Sequence, residues 1–223
     1  MLIPTQAAPI GLFGGTFDPP HFGHLRPALE LCERFAMQHM LFIPANVPPH
    51  RPQPMADAEQ RLSMLKLAVA EEPSFRVDER ELRRPGPSYM VDTLQSLRQE
   101  YPSTPLCLCL GMDAFLQLHS WHRWQELGEL ANILVSHRPG WEWQQNPMDK
   151  TLKDWFLGRH TEEVAEIRHS LAGKVCLQQV SQLAISATGI RARASQGLSA
   201  RFLLPEPVWR YIQQQQLYLS SES

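Results

Sequence analysis

Short apolar blocks alternate with amphipathic stretches along this chain, and most blocks end at glycine, proline or a charged turn. Residues 10–13 read as a strand running into Gly14-Gly15, and helical spacing takes over from about residue 22 to residue 36. Residues 40–43 form a second strand, followed by a proline-rich loop over 44–54. Asp57 then opens a helix to about residue 70 whose Leu62, Leu65 and Val69 share a face. Residues 75–77 are a weaker strand. After a turn at 84–87, Ser88 is placed as the N-cap of a helix to about residue 99, and residues 106–110 make the clearest buried strand.

Helical pieces at 114–118 and 124–127 precede a strand at 132–135. The stretch 141–173 carries no strand signal and reads as a helical excursion around 149–157 and 162–171. A last short strand lies at 174–177. Ser186 starts a helix to about residue 194, and a further helix follows Pro205, over 206–215. The pattern predicts an α/β fold of Rossmann-like, doubly wound type: a parallel sheet with helices on both faces, and a small C-terminal helical part over about 186–220. In such a sheet ligands bind beyond the carboxyl ends of the strands, where the strand order reverses.

Composition narrows the picture further. With 223 residues, 43% of them hydrophobic, residues 1–223 are expected to form a single domain around a continuous core. Lys and Arg total 21 against 23 Asp and Glu, so no general attraction for nucleic acid or an anionic membrane is expected, and any bound anion must be held locally. No apolar run approaches the roughly 18 residues of a membrane span, and the first nine residues lack the pattern of a signal peptide. A cytoplasmic location is the expectation. The four cysteines are too few and scattered for a disulfide framework; Cys107 and Cys109 would share one face of their strand.

The candidate chemistry sits after the first strand, in Gly14-Gly15-Thr16-Phe17-Asp18-Pro19-Pro20-His21-Phe22-Gly23-His24. Two glycines let a backbone approach a phosphate, and the helix start beyond them offers unpaired N–H groups and a positive dipole end. His21 and His24, three apart at a helix entry, can face one point. Half of a zinc site is an alternative for that pair, but no third ligand lies near in sequence; plain helix-start packing is another.

The run Gly15 to His24 resembles the first-strand signature of the nucleotidylyltransferase superfamily, Gly-x-Phe-Asp-Pro-x-His-x-Gly-His. Pro48-Pro49-His50-Arg51, Gly86-Pro87-Ser88-Tyr89, Gly111-Met112-Asp113, Arg138-Pro139-Gly140 and Ile185-Ser186-Ala187-Thr188-Gly189-Ile190-Arg191 follow in the order seen in the bacterial nicotinate mononucleotide adenylyltransferase family. Met90, Ala187 and His122 depart from that family's usual Thr, Ser and Tyr. The resemblance implies an enzyme that joins ATP and nicotinate mononucleotide to give nicotinate adenine dinucleotide and pyrophosphate, with His21, His24 and Arg191 catalytic. It implies ATP contacts from Gly14, Gly15, Thr16, Phe17, Gly23, Gly111, Asp113, Ile185, Ser186 and Thr188. Mononucleotide contacts fall to Asn46, His50, Arg51, Ser88, Tyr89, Trp121 and Arg138. Mg2+ would arrive on the phosphates of ATP, with no dedicated protein metal site.

The bland alternatives stay open at single positions. Ser186 or Thr188 could simply cap a helix, Asp113 likewise, His50 and Arg51 could be solvated loop charges, and Trp121 could be packing. Other rivals are a transferase acting on phosphopantetheine, and a nucleotide sensor without turnover. A sensor would have little need of His21, His24 and Arg191 together.

Overall fold

The computed structural model of the protein describes residues 7–48, 53–137, 147–181 and 183–219. The elements run β1 (Ile10–Gly15), α1 (Phe22–Arg34), β2 (His39–Pro44), α2 (Ala58–Val69), β3 (Phe75–Val77), α3 (Arg80–Arg83), α4 (Met90–Glu100), β4 (Leu106–Gly111) and α5 (Met112–Leu116). They continue with α6 (Leu127–Leu130), β5 (Asn132–His137), α7 (Lys150–Leu157), α8 (Val164–His169), β6 (Val175–Gln179), α9 (Ala187–Ser195) and α10 (Glu206–Gln214); short 3-10 turns at Leu118–Ser120 and Trp124–Glu126 precede α6.

All five strand pairings are parallel, in the order β3-β2-β1-β4-β5-β6. Sequence neighbours build outward in one direction from β1 to β3, then the chain returns to add β4 on the other side of β1. The switch point between β1 and β4 opens a crevice at their carboxyl ends, which is where this topology binds ligands. The expected Rossmann-like α/β class is therefore the observed one.

Side-chain alternation along the strands divides the core. On one face Ile10, Leu12, Leu106, Leu108 and Ile133 pack under α4, α5, α6 and α7. On the other, Met40, Phe42, Cys107, Cys109 and Leu134 pack under α1, α2 and α8. A third cluster joins Met64 of α2 to Ile190 and Ala194 of α9 and to Val208, Trp209 and Ile212 of α10. It anchors the C-terminal helices beside the crevice.

Two local expectations need correction, and one element goes beyond them. Ser88 is not a helix N-cap: α4 starts one residue later, behind Tyr89, because the Ser88 hydroxyl instead accepts the Asn46 N–H at 2.9 Å. On α2 the buried face carries Arg61 with Met64, Leu65 and Val69, whereas Leu62 stays partly exposed, because the helix lies beneath loop carbonyls that need donors. The single turn α3 was not anticipated, being too short for any periodicity to register.

The 141–173 stretch contributes to the core through α7, whose Leu152 and Phe156 are fully buried, with Phe156 edge-on to Phe115 at 5.8 Å. Phe156→Ala should therefore cost about 3–5 kcal/mol of global stability, read as a lowered midpoint of a single urea transition. A variant that unfolds at the wild-type midpoint would place α7 outside the cooperative unit.

Candidate active site

The end of β1 folds back on itself. Phe17 adopts the left-handed region at φ 53° yet is buried, with its ring lying where a Cβ on Gly15 would come within 2.9 Å. That conformation costs a non-glycine residue about 1 kcal/mol or more and is held by the ring's burial. The same turn aims the following residues at the start of α1. His21 is its N-cap, and the His21 N–H donates to His24 Nδ1 at 3.3 Å. The two imidazoles stack at 3.7 Å, and His24 meets Phe17 and Phe13 edge-on at 5.3 and 6.3 Å.

This apolar box decides the charge state. Burial pushes His21 down to about 4, and burial together with the neighbouring His21 pushes His24 well below the usual imidazole range. Both rings are neutral near pH 7. Because His24 Nδ1 accepts a hydrogen bond, its proton resides on Nε2, which is left as a donor.

The second half of the site arrives from the C-terminal side. Gly23 allows the contact: a Cβ there would lie 2.9 Å from the His21 ring and 3.2 Å from the Ile185 carbonyl oxygen. Ser186 caps α9 by accepting the Gly189 N–H at 3.1 Å, which leaves its own O–H to donate. Thr188 lies exposed in the first turn of α9, and its hydroxyl accepts from Arg191 Nη2 at 3.4 Å. Arg191 Nη1 donates to the Asp18 carbonyl at 2.6 Å, so the guanidinium is tied to the loop that carries the histidines. Thus His21, His24, Gly23, Ile185 and Arg191 come together, with Gly14, Gly15, Thr16 and Phe17 beside them on β1 and its loop.

The other wall of the crevice comes from β2, β4 and α4. Asn46 donates its side-chain amide to the Arg84 carbonyl at 3.3 Å and its N–H to Ser88. Tyr89 packs against His122 with the rings tilted and their centres 4.4 Å apart, which brings the Trp121 loop against the start of α4. Trp121 itself is half-buried against the core. Met90 closes over Gly14, its methyl 2.6 Å from where a Cβ would stand, so this departure from the family pattern supplies an apolar wall in place of a hydroxyl. Gly111 and Asp113 sit exposed at the end of β4 and the start of α5, adjacent in the sheet to β1. His50, Arg51 and Arg138 lie outside the described residues.

Sequence reasoning missed three residues. Asp18 is buried, and its carboxylate accepts N–H groups of Met55 and Ala56 at 2.9 and 3.2 Å and the Tyr218 hydroxyl at 2.7 Å, with Arg191 Nη1 at 3.8 Å. Its place inside the motif was the available signal. Arg61, buried under the β1 and β2 loops, could have been found from its four- and eight-residue spacing to Leu65 and Val69. Nothing local marks Tyr218.

A parallel sheet with paired imidazoles, helix-start N–H groups and an opposing arginine at its switch point is suited to holding a phosphate-bearing ligand. Residues 12–193 match the model of the cytidylyltransferase-like family. A protein of Aeromonas salmonicida named probable nicotinate-nucleotide adenylyltransferase is 47% identical over 211 residues, covering 95% of this chain and 97% of its own; one of Psychromonas ingrahamii with the same name is 41% identical over 213 residues. The Plasmodium falciparum nicotinic acid mononucleotide adenylyltransferase complexed with NaAD shares the fold, with a TM-score of 0.70 at 14% identity over 95% of this chain and 97% of that one. The chain belongs to the cytidylyltransferase-like family, and within it to the nicotinate-nucleotide adenylyltransferases.

The neutral His21 has a pH consequence. Its folded value, about 4, lies below the unfolded value of 6.5, so the unfolded chain takes up the proton first and stability falls as pH drops from about 6.5 towards 4. The loss from His21 amounts to roughly 3 kcal/mol at the acid end. In melts from pH 7 to pH 4, His21→Asn should flatten the slope; an unchanged slope would show that His21 is not the buried titrating group.

Proposed function

We propose that this chain is an adenylyltransferase that joins ATP to nicotinate mononucleotide, yielding nicotinate adenine dinucleotide and pyrophosphate in NAD biosynthesis. The observation that carries the reading is the meeting, across Gly23, of the His21–His24 pair with the entry to α9 and Arg191. The names of the relatives point the same way. An oxygen of the mononucleotide phosphate attacks the α-phosphorus of ATP, the bond to the bridging oxygen breaks in line, and pyrophosphate leaves. The nucleophile belongs to the substrate, so no covalent enzyme intermediate is needed.

The protein's part is alignment and charge stabilisation. His24 Nε2–H is an uncharged donor whose hydrogen bond strengthens as negative charge grows on the triphosphate, and its dry surroundings magnify that effect. Arg191 supplies a planar fork for the β- and γ-phosphates, alongside the first N–H groups of α9 and the Ser186 and Thr188 hydroxyls. Gly111 and Asp113 would face the adenosine, where a carboxylate accepts from ribose hydroxyls. On the other wall Asn46, His50, Arg51, Ser88, Tyr89 and Arg138 would hold the mononucleotide, with Trp121 stacked on the pyridine ring.

Among the described residues no cluster of three or more His, Cys, Asp or Glu side chains could hold a metal ion, and His24 Nδ1 is already occupied. Mg2+ is proposed to arrive with the triphosphate, where it would neutralise phosphate charge. No described helix is long and apolar enough to cross a membrane, and all four cysteines are buried free thiols.

Pyrophosphate release on mixing ATP and the mononucleotide tests the reading. Chelating magnesium should abolish the release, and adding it back should restore it. His24→Ala should lower kcat about 10²- to 10³-fold with a smaller effect on ATP binding, and near-normal turnover would remove His24 from catalysis.

The acid mononucleotide is expected to be preferred over the amide, because the N-cap Tyr89 of α4 makes no side-chain capping bond and the first N–H groups of that helix could meet a carboxylate. That dipole end favours an anion by about 0.3 to 2 kcal/mol. Trp121→Ala should raise the KM of both forms by similar factors and leave the preference standing. Specificity constants for the two mononucleotides check this, and a preference that disappears with the indole would refute it.

A further inference from the structure

Arg61 of α2 is 1% exposed, and every hydrogen bond it makes among the described residues goes to a backbone carbonyl. Nη1 donates to Thr16 O at 2.9 Å and Ala45 O at 2.7 Å, and Nη2 donates to Asn46 O at 3.4 Å. Thr16 follows β1, whereas Ala45 and Asn46 follow β2. The last backbone bond between these segments runs from Ala45 N–H to Gly15 O at 2.9 Å, and Arg61 continues the connection beyond it.

Burying a guanidinium is expensive, and no ion pair offsets it here among the described residues; Asp18 supports the charge only through space. What the side chain joins is informative. The Thr16 loop leads through Phe17 to the stacked imidazoles. The Asn46 loop is bonded to Ser88 and Arg84, and the Ser88 N–H also donates to Val47 O at 3.0 Å, so this loop moves with the mononucleotide wall. One rigid planar group therefore spans the two cradles that in-line transfer requires to be in register.

We propose that Arg61 is a positioning residue for adenylyl transfer: it fixes the separation between the loop that holds the triphosphate and the loop that holds the attacking phosphate. The inference rests on the functional reading above. A displacement of about 1 Å between reacting groups costs on the order of 10²-fold in rate. A lysine keeps the charge and much of the volume but lacks the fork that reaches both loops.

Arg98 provides the control. It also clamps carbonyls, donating to Leu130 O, Tyr101 O, Thr104 O and Leu171 O at 2.7–3.2 Å, but at the amino ends of β4 and β5, away from the crevice. The experiment compares wild type, Arg61→Lys and Arg98→Lys by thermal unfolding, by calorimetric affinity for ATP and for nicotinate mononucleotide separately, and by kcat with both substrates saturating. Arg61→Lys should keep each binary affinity within about 3-fold and lose about 100-fold in kcat. Arg98→Lys should lower the melting temperature and keep kcat within about 2-fold.

A normal kcat in Arg61→Lys overturns the proposal, as does a fall in one binary affinity large enough to explain the lost activity. An Arg61→Lys chain that does not fold, or an equal loss of kcat in Arg98→Lys, assigns Arg61 to the scaffold and overturns it too. A wild type that releases no pyrophosphate from these substrates defeats the functional reading itself; an active wild type with indifferent variants defeats only the role of Arg61.

Discussion

One buried carboxylate holds the crevice together. Asp18 lies between β1 and α1, and a charge in that position is tolerated only when its lone pairs are met by donors. Those donors come from the Met55–Ala56 backbone ahead of α2 and from Tyr218 after α10, with the Arg191 guanidinium close by. Three parts of the chain remote in sequence thus converge on one side chain. Burial, and then the proximity of Asp18, push the Tyr218 phenol upward, so it stays a neutral donor across the working pH range.

Around that node the charges follow a division of labour. The Arg61 cation is kept where it touches protein carbonyls, whereas at the site itself neutral imidazoles in an aromatic enclosure stand beside the single Arg191 guanidinium. On the proposed reading, neutral donors at His21 and His24 would respond most strongly to charge that develops during transfer and hold the ground state less tightly. A histidine that had to be protonated would tie turnover to pH near neutrality.

The sheet and the first motif were legible in sequence because their causes are local. The apolar block at β1 followed by two glycines forces strand, turn and helix start in that order, and the spacing of His21 and His24 survives any small shift in helix boundary. The α9 motif could be read similarly through Ser186. Ser88 was misassigned because a hydroxyl before a helix looks the same whether it caps the helix or accepts from Asn46, which is distant in sequence. Arg61 was passed over because an arginine on an amphipathic helix normally marks the solvent face, and only the carbonyls above it reverse that expectation. Tyr218 depends wholly on tertiary contact.

The bond from Tyr218 to Asp18 spans 200 positions of sequence. During synthesis the ribosome releases the β1 loop long before the partners that will balance its carboxylate. Without α9 and α10, docked through their apolar cluster, that carboxylate would keep the Met55 and Ala56 N–H groups but lack the Tyr218 hydroxyl and the nearby Arg191 guanidinium. The helices at the end of the chain thereby complete the polar surroundings of a side chain that lies near its beginning.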